Sequence, residues 1–157
     1  MHINSKNEEY EKGNILSILA MAQGKESAKN QKDFFQQVLI GKLFFVDKEI
    51  NIDELTWNPH SSFKGVYLKN LVTEEDSNNR LTYHIVKVEP NCMLDTHIHD
   101  TKIETHEVIS GSGKMYLNDK KINYSVGYIC VIPANTPHKV VAGKKGLYLL
   151  AKFTPAL

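Results

Sequence analysis

The stretches NCMLDTHIHDTKIETHEVISG (residues 91–111) and GYICVIPANTPHKVVA (residues 127–142) hold four of the chain's seven histidines. His97 and His99 lie two apart in a segment patterned as a strand, so both side chains leave the same face. A tight turn into a neighbouring strand fits the four residues that intervene before Glu104. His138 follows Pro133-Ala-Asn-Thr-Pro137, where two prolines fix the approach of the backbone. If these strands line one barrel, three imidazoles and one carboxylate converge on a point. Imidazole suits Fe, Ni, Cu and Zn, and the carboxylate extends the range to Mn.

Working outward, the apolar pattern from Lys42 onward has a period of two. Residues 80–88 (RLTYHIVKV) alternate, with Leu81, Tyr83 and Ile85 on one face and Thr82, His84 and Val86 on the other. Residues 115–117, 122–124, 128–132, 139–141 and 147–153 continue the series. Pro90-Asn91, Gly111-Ser-Gly113, Asn118-Asp119, Gly127, Pro133 and Gly143-Lys-Lys-Gly146 read as the turns between them. Many short strands with turn signals between them predict an all-β sandwich or barrel. Before residue 50 the spacing is helical: Ile15, Leu16, Ile18, Leu19 and Ala22, then Phe34, Phe35, Val38 and Leu39. Gly24 breaks the first run and Ser27 can cap the second, which predicts two short helices. The Ile15/Leu19/Ala22 face would pack on its own domain or on another subunit. The organisation read from the sequence is a helical extension over 1–48 and a barrel domain over 49–157.

Composition narrows the function. The chain has 157 residues, 41% hydrophobic and 24% charged, the profile of one globular domain. Lys+Arg of 19 against Asp+Glu of 18 leaves a net charge of +1, with no footprint for nucleic acid or an anionic membrane. Eighteen of the 19 basic residues are lysine and one, Arg80, is arginine, which excludes a phosphate clamp of several planar guanidinium forks. Cys92 and Cys130 are too few and too far apart for a disulfide framework or a zinc knuckle. The run ILSILAMA (residues 15–22) is short, and Glu8, Glu9 and Glu11 before it oppose a signal peptide. The expected location is cytoplasmic.

Residues 91–111 resemble the first motif of the cupin superfamily, G-x5-H-x-H-x(3,4)-E-x6-G. His97, His99, Glu104 and Gly111 fall in register, and Asn91 stands where the pattern has glycine. Residues 127–142 resemble the second motif, G-x5-P-x-G-x2-H-x3-N, with Gly127, Pro133 and His138 matching. Asn135 replaces its glycine and Ala142 its final asparagine. Asparagine tolerates positive φ best after glycine, so both turns remain feasible. The spacing between the motifs is that of compact, single-domain bacterial members. The resemblance spans roughly residues 60–154 and implies a double-stranded β-helix, or jelly-roll barrel, with one divalent metal held by His97, His99, Glu104 and His138. Upstream, Leu55-Thr-Trp57-Asn-Pro59 and Gly65–Leu71 resemble the first strands of cupin domains in zinc-binding anti-sigma factors. Those proteins carry an additional His and paired-Cys zinc motif that this chain lacks, so no sigma-binding role is inferred.

Around the expected metal, alternation puts His106, Val108 and Ser110 on the face of Glu104. His106 is a candidate catalytic residue: a donor to a ligand, a substrate contact or an acid/base group, against a histidine pointing to solvent beside Glu107. Glu104 itself could stay on the metal or swing off as a base. His84 reads as a surface or interface histidine, and Arg80 as a surface residue. Tyr83 and Tyr128 read as packing residues that could offer a phenol to substrate. Met115, Leu117, Ile132, Val140, Leu149 and Ala151 would line an apolar cavity. The function implied is a metal-dependent cupin enzyme acting on a small organic molecule. Dioxygenase chemistry comes first, with isomerase, decarboxylase or lyase chemistry on the same site. The alternative is a non-catalytic sensor or binding module. A homodimer is expected, because barrel edges invite pairing.

Overall fold

The computed structural model describes residues 34–157, and the chain divides into a unit ending at Ile40 and a unit spanning Gly41–Leu157. Residues 34–39 are helical, with the Ile40 amide donating to the Gln36 carbonyl at 3.1 Å. The first expected helix, its Ile15/Leu19/Ala22 face and the Ser27 cap lie outside the described residues.

The regular structure of the second unit is almost wholly strand. A small hairpin, β1 (Lys42–Phe44) and β2 (Glu49–Asn51), straddles the expected boundary at 48/49 and leads into a single 3-10 turn, Ile52–Glu54. Then follow β3 (Asn58–Pro59), β4 (Val66–Val72), β5 (Thr82–Val88), β6 (Met93–His97), β7 (Ile103–Leu117), β8 (Lys120–Ser125), β9 (Ile129–Ile132) and β10 (His138–Thr154). The order β3-β4-β5-β10-β7-β8 forms one antiparallel path, with β6 added on β10 and β9 on β7. This is a jelly-roll barrel: the strand pattern predicts a sandwich or barrel, and the cupin resemblance implies the jelly roll.

Two expected turns are not turns. β7 runs through Gly111-Ser-Gly113 and β10 through Gly143-Lys-Lys-Gly146, making strands of 15 and 17 residues. Their pairing jumps from Ala142↔Gly113 to Leu147↔Gly111, so the extra residues of β10 bulge where both strands bend together. A glycine kink at a barrel corner carries the same sequence signal as a hairpin turn, which is why the two are confused.

Registered pairs share a face, and three successive rows describe the barrel interior. Val86, Leu149 and Val108 form one; His84, Ala151, His106 and Cys130 the next; Thr82, Phe153, Glu104 and Ile132 the third. The first row belongs to an apolar core with Val66, Val88, Met115, Val140 and Leu147, all at most 1% exposed apart from Val86 and Val108. Each such side chain contributes roughly 1.5–3 kcal/mol by leaving water. The second and third rows place titratable groups above that floor.

The outer face of β4 and β5 is covered as well. Lys69 is 4% exposed, and its ammonium donates to the Ile52 carbonyl at 2.8 Å and sits 5.2 Å from the Trp57 ring. Trp57 packs edge-on against Tyr148 at 6.3 Å. Ile85 is therefore fully buried on one face while Thr82, His84 and Val86 are buried on the other. His84, read as a surface or interface histidine, is 5% exposed: both faces of β5 are covered, which alternation alone does not reveal.

Candidate metal centre

His97, at the end of β6, is the direct cross-strand partner of His138 at the start of β10, and their rings lie 4.1 Å apart. His99 follows in the loop after β6. Asn135 ties that loop to the one before β10, its amide donating to the His99 carbonyl at 2.8 Å. Asn135 has φ 59° and Asn91 φ 60°, so both asparagines occupy the left-handed conformation expected of them. Glu104 enters from β7, paired with Phe153 of β10 and Ile132 of β9. One donor atom from each of His97, His99, Glu104 and His138 lies within 4.8 Å of the others.

The donors are prepared as ligands. His97 Nδ1 donates to the Asp95 carbonyl at 2.7 Å and His138 Nδ1 to the Thr136 carbonyl at 2.9 Å. Each bond puts the ring proton on Nδ1 and leaves the Nε2 lone pair bare. His99 Nε2, His138 Nε2 and Glu104 Oε2 are all buried without a hydrogen-bond partner among the described residues. Unpaired buried polar atoms cost roughly 1–3 kcal/mol each, so three converging on one point signal a missing common partner. The spacing agrees. His138 Nε2 is 3.0 Å and His99 Nε2 3.3 Å from Glu104 Oε2, and two donors about 2.1 Å from one ion at right angles stand about 3.0 Å apart. These residues fit a divalent transition metal.

Glu104 is held by its other oxygen. His106 Nε2 donates to Glu104 Oε1 at 2.6 Å, and Tyr124 OH lies 3.1 Å from His106 Nδ1. The three side chains are 2–4% exposed. With one proton on Nε2, His106 donates to the carboxylate and accepts from the phenol, so both ring nitrogens are satisfied. Burial opposes charge on Glu104. The neighbouring His106, His138 and His99 outweigh it and hold the carboxyl well below its ordinary pKa, so it is a carboxylate at neutral pH. Burial lowers the pKa of His97. His138 is raised, because the Glu104 carboxylate and the Thr136 carbonyl outweigh burial there.

Other sequence candidates separate clearly. Tyr128 is 53% exposed, Tyr83 packs beneath Lys152 and Arg80 is exposed. Cys92 and Cys130 are free thiols. Of the six expected cavity-wall residues only Leu149 lines the space beside the metal ligands; Met115, Ile132, Val140 and Ala151 are core. That cavity, about 310 Å³, is walled instead by residues such as Phe63, Leu94, Ile98 and Phe153, with His60 among them. Tyr124 and His60 carry no local sequence signal, since each meets the site only through the folding of distant strands.

His84 makes a separate prediction. Its Nδ1 lies 3.0 Å from Asn70 Oδ1, and burial lowers its pKa to about 4 against the weak pull of Glu104. Between that value and the usual 6.5 the unfolded chain takes up a proton the folded chain refuses. Folding is thus unaffected by this group at pH 7 and loses stability as pH falls from 6.5 towards 4, by roughly 3 kcal/mol at full extent. In thermal unfolding of metal-free protein, His84→Gln is expected to show a smaller drop in Tm between pH 7.5 and pH 4.5 than the unsubstituted chain. Equal drops would contradict a neutral, buried His84.

Residues 84–151 match the family described as Cupin domain. No curated protein matches the chain significantly in sequence. Among solved structures, a predicted oxalate decarboxylase from Thermotoga maritima superposes with a TM-score of 0.61 at 22% identity, covering 67% of this chain and 96% of that one. KdgF from Halomonas sp. gives 0.60 at 23% identity, over 73% of this chain and 96% of its own. The polyketide cyclase RemF from Streptomyces resistomycificus gives 0.61 at 20% identity, over 69% and 78%. At these identities the likeness is one of fold. Among the described residues no helix is long and apolar enough to cross a membrane.

Proposed function

The barrel is a cupin domain, and from that premise we propose that this protein is a metal-dependent enzyme acting on a small organic molecule. One observation carries the reading: three bare, buried donor atoms converge beside a cavity of about 310 Å³. A purely structural site would be closed by protein, whereas four protein ligands leave room for a further one on an ion that accepts five or six. When bound, the metal would supply Lewis acidity, and Fe, Ni or Cu would add redox chemistry with O₂. We place dioxygenase chemistry first, with isomerase, decarboxylase and lyase chemistry as the redox-neutral options. That two of the similar structures are described as a predicted decarboxylase and a cyclase is consistent with catalysis on such a barrel.

The chain's own residues divide the work. His97, His99, Glu104 and His138 hold the ion. Glu104 presents Oε2 to it while Oε1 stays on His106, which makes Glu104 a fixed ligand more than a mobile base. His106 keeps its proton on Nε2 and positions the carboxylate, with Tyr124 fixing the ring in turn. Phe153 and Leu149 line the cavity beside the ligands with apolar surface.

The first test is elemental analysis of untagged protein purified without chelator, followed by oxygen uptake and product analysis with candidate substrates. About one Fe, Ni, Cu or Mn per chain supports the reading; no metal after reconstitution overturns it. A sharper test addresses His106. His106→Leu is expected to weaken metal affinity 10- to 100-fold, roughly the cost of losing a partner that orients a ligand. His106→Gln, which keeps an N–H near Oε1, should recover part of it. Unchanged metal affinity in His106→Leu would remove the positioning role.

A further inference from the structure

The cavity beside the metal ligands has an unusual lining for a site that would bind an anion: among the described residues neither lysine nor arginine contributes to it. Apart from the metal ligands and His106, its polar residues are His60 and Ser62; Phe63, Leu94, Ile98, Leu149 and Phe153 are among the apolar remainder. A carboxylate held on these walls, away from the metal, would lose hydration with no side-chain cation to replace it, a cost of several kcal/mol.

His60 supplies a directional group outside the ligand set whose donor role is fixed. It stands at the start of a tight loop, its own amide donating to the Val66 carbonyl at 2.9 Å. Two further amides, of Ser62 at 3.1 Å and Phe63 at 3.3 Å, donate to His60 Nδ1. An imidazole nitrogen that accepts two N–H groups carries no proton, so the ring proton resides on Nε2. The ring stacks on Phe63 at 4.6 Å, and Phe63 lies 5.5 Å from the His97 ring. His60 is therefore a neutral N–H donor, locked in one tautomer, one aromatic ring away from a metal ligand. Burial lowers its pKa and favours the same neutral form.

We propose that the site takes a small, uncharged, largely apolar molecule bearing oxygen, oriented by a hydrogen bond from His60 Nε2–H, and discriminates against molecules whose carboxylate would lie on the cavity walls away from the metal. This rests on the metal-site reading given above and specifies its substrate class. The His60 Nε2–H would donate to an oxygen of the bound molecule, and the apolar walls would cover its hydrocarbon part.

The test compares two probes with one chelating head. Allomaltol and comenic acid are both hydroxypyranones, the first bearing a methyl group where the second bears a carboxylate. Calorimetric titration of the full chain loaded with zinc, with zinc per chain measured on the same sample, should give at least about tenfold tighter binding of allomaltol. His60→Leu should weaken allomaltol binding about five- to tenfold without lowering zinc per chain, the loss expected of one hydrogen bond. His60→Gln, which retains an N–H donor, should fall between. Equal or tighter binding of comenic acid would overturn the uncharged class, and unchanged affinity in both His60 variants would overturn the donor role. One zinc per chain with neither probe bound would reject the proposal and leave the metal site standing. No zinc at all would reject both.

Discussion

Replacing both His97 and His138 by alanine is expected to take the metal content from about one ion per chain to background, while the barrel keeps its cooperative thermal transition. The two rings face each other at 4.1 Å across β6 and β10, so their loss removes half of the ligand set from one side. The core that holds the barrel lies on other rows: Val66, Val88, Met115, Val140, Leu147 and Leu149 are at most 1% exposed and none is a ligand. A protein with such a core does not need the ion to fold, unlike a zinc finger. Metal added to the unsubstituted chain should raise its Tm, because three orphaned donor atoms gain a partner, and the double variant should show no such rise. Elemental analysis paired with a thermal melt of each protein, with and without metal, checks both halves. Loss of the cooperative transition in the double variant would make the metal a structural element.

Why the ligand set was legible in the sequence, while its surroundings were not, follows from how far each relation reaches along the chain. His97 and His99 were read together from strand period, although β6 ends at His97 and His99 stands in the loop beyond it, and His138 was marked by the two prolines that fix its approach. Asn91 and Asn135 were readable as glycine-like positions because they stand where the two cupin motifs have glycine, and their φ values of 60° and 59° agree. Tyr124 is different. It reaches His106 from β8, eighteen residues away, and nothing around it announces that partner. His60 is equally silent, since its tautomer is set by a loop and its place in the cavity by Phe63. For His84 the period was right and the direction wrong. Alternation tells which residues share a face, and on β5 both faces are covered, one by the barrel interior and the other near Lys69 and Trp57.

The glycines of the long strands show the same limit at the level of the backbone, and they yield the largest expected effect on stability. Gly111 has φ +79°, and a Cβ placed there would run into the carbonyl of Gly146, which also has φ +79°. Two penalties therefore add in Gly111→Ala: left-handed strain of roughly 1–3 kcal/mol and an overpacking term of similar size, because the obstacle is backbone and cannot rotate away. Against a total stability of roughly 5–15 kcal/mol, this substitution is expected to lower Tm by more than about 10 °C or to abolish folding. Gly127 separates the two penalties. Its φ is +86°, but nothing lies within 4 Å of a Cβ built there. Gly127→Ala should cost only the strain, about 1–2 kcal/mol. Every non-glycine residue with positive φ among the described residues is asparagine: Asn78, Asn79, Asn91, Asn118 and Asn135. Gly127→Asn should accordingly recover most of the lost stability, whereas Gly111→Asn should recover none, since space and not conformation decides at that corner. Denaturant unfolding of the four variants measures this. Equal losses in the Gly111 and Gly127 pairs would mean that β7 and β10 can separate at their bend without cost.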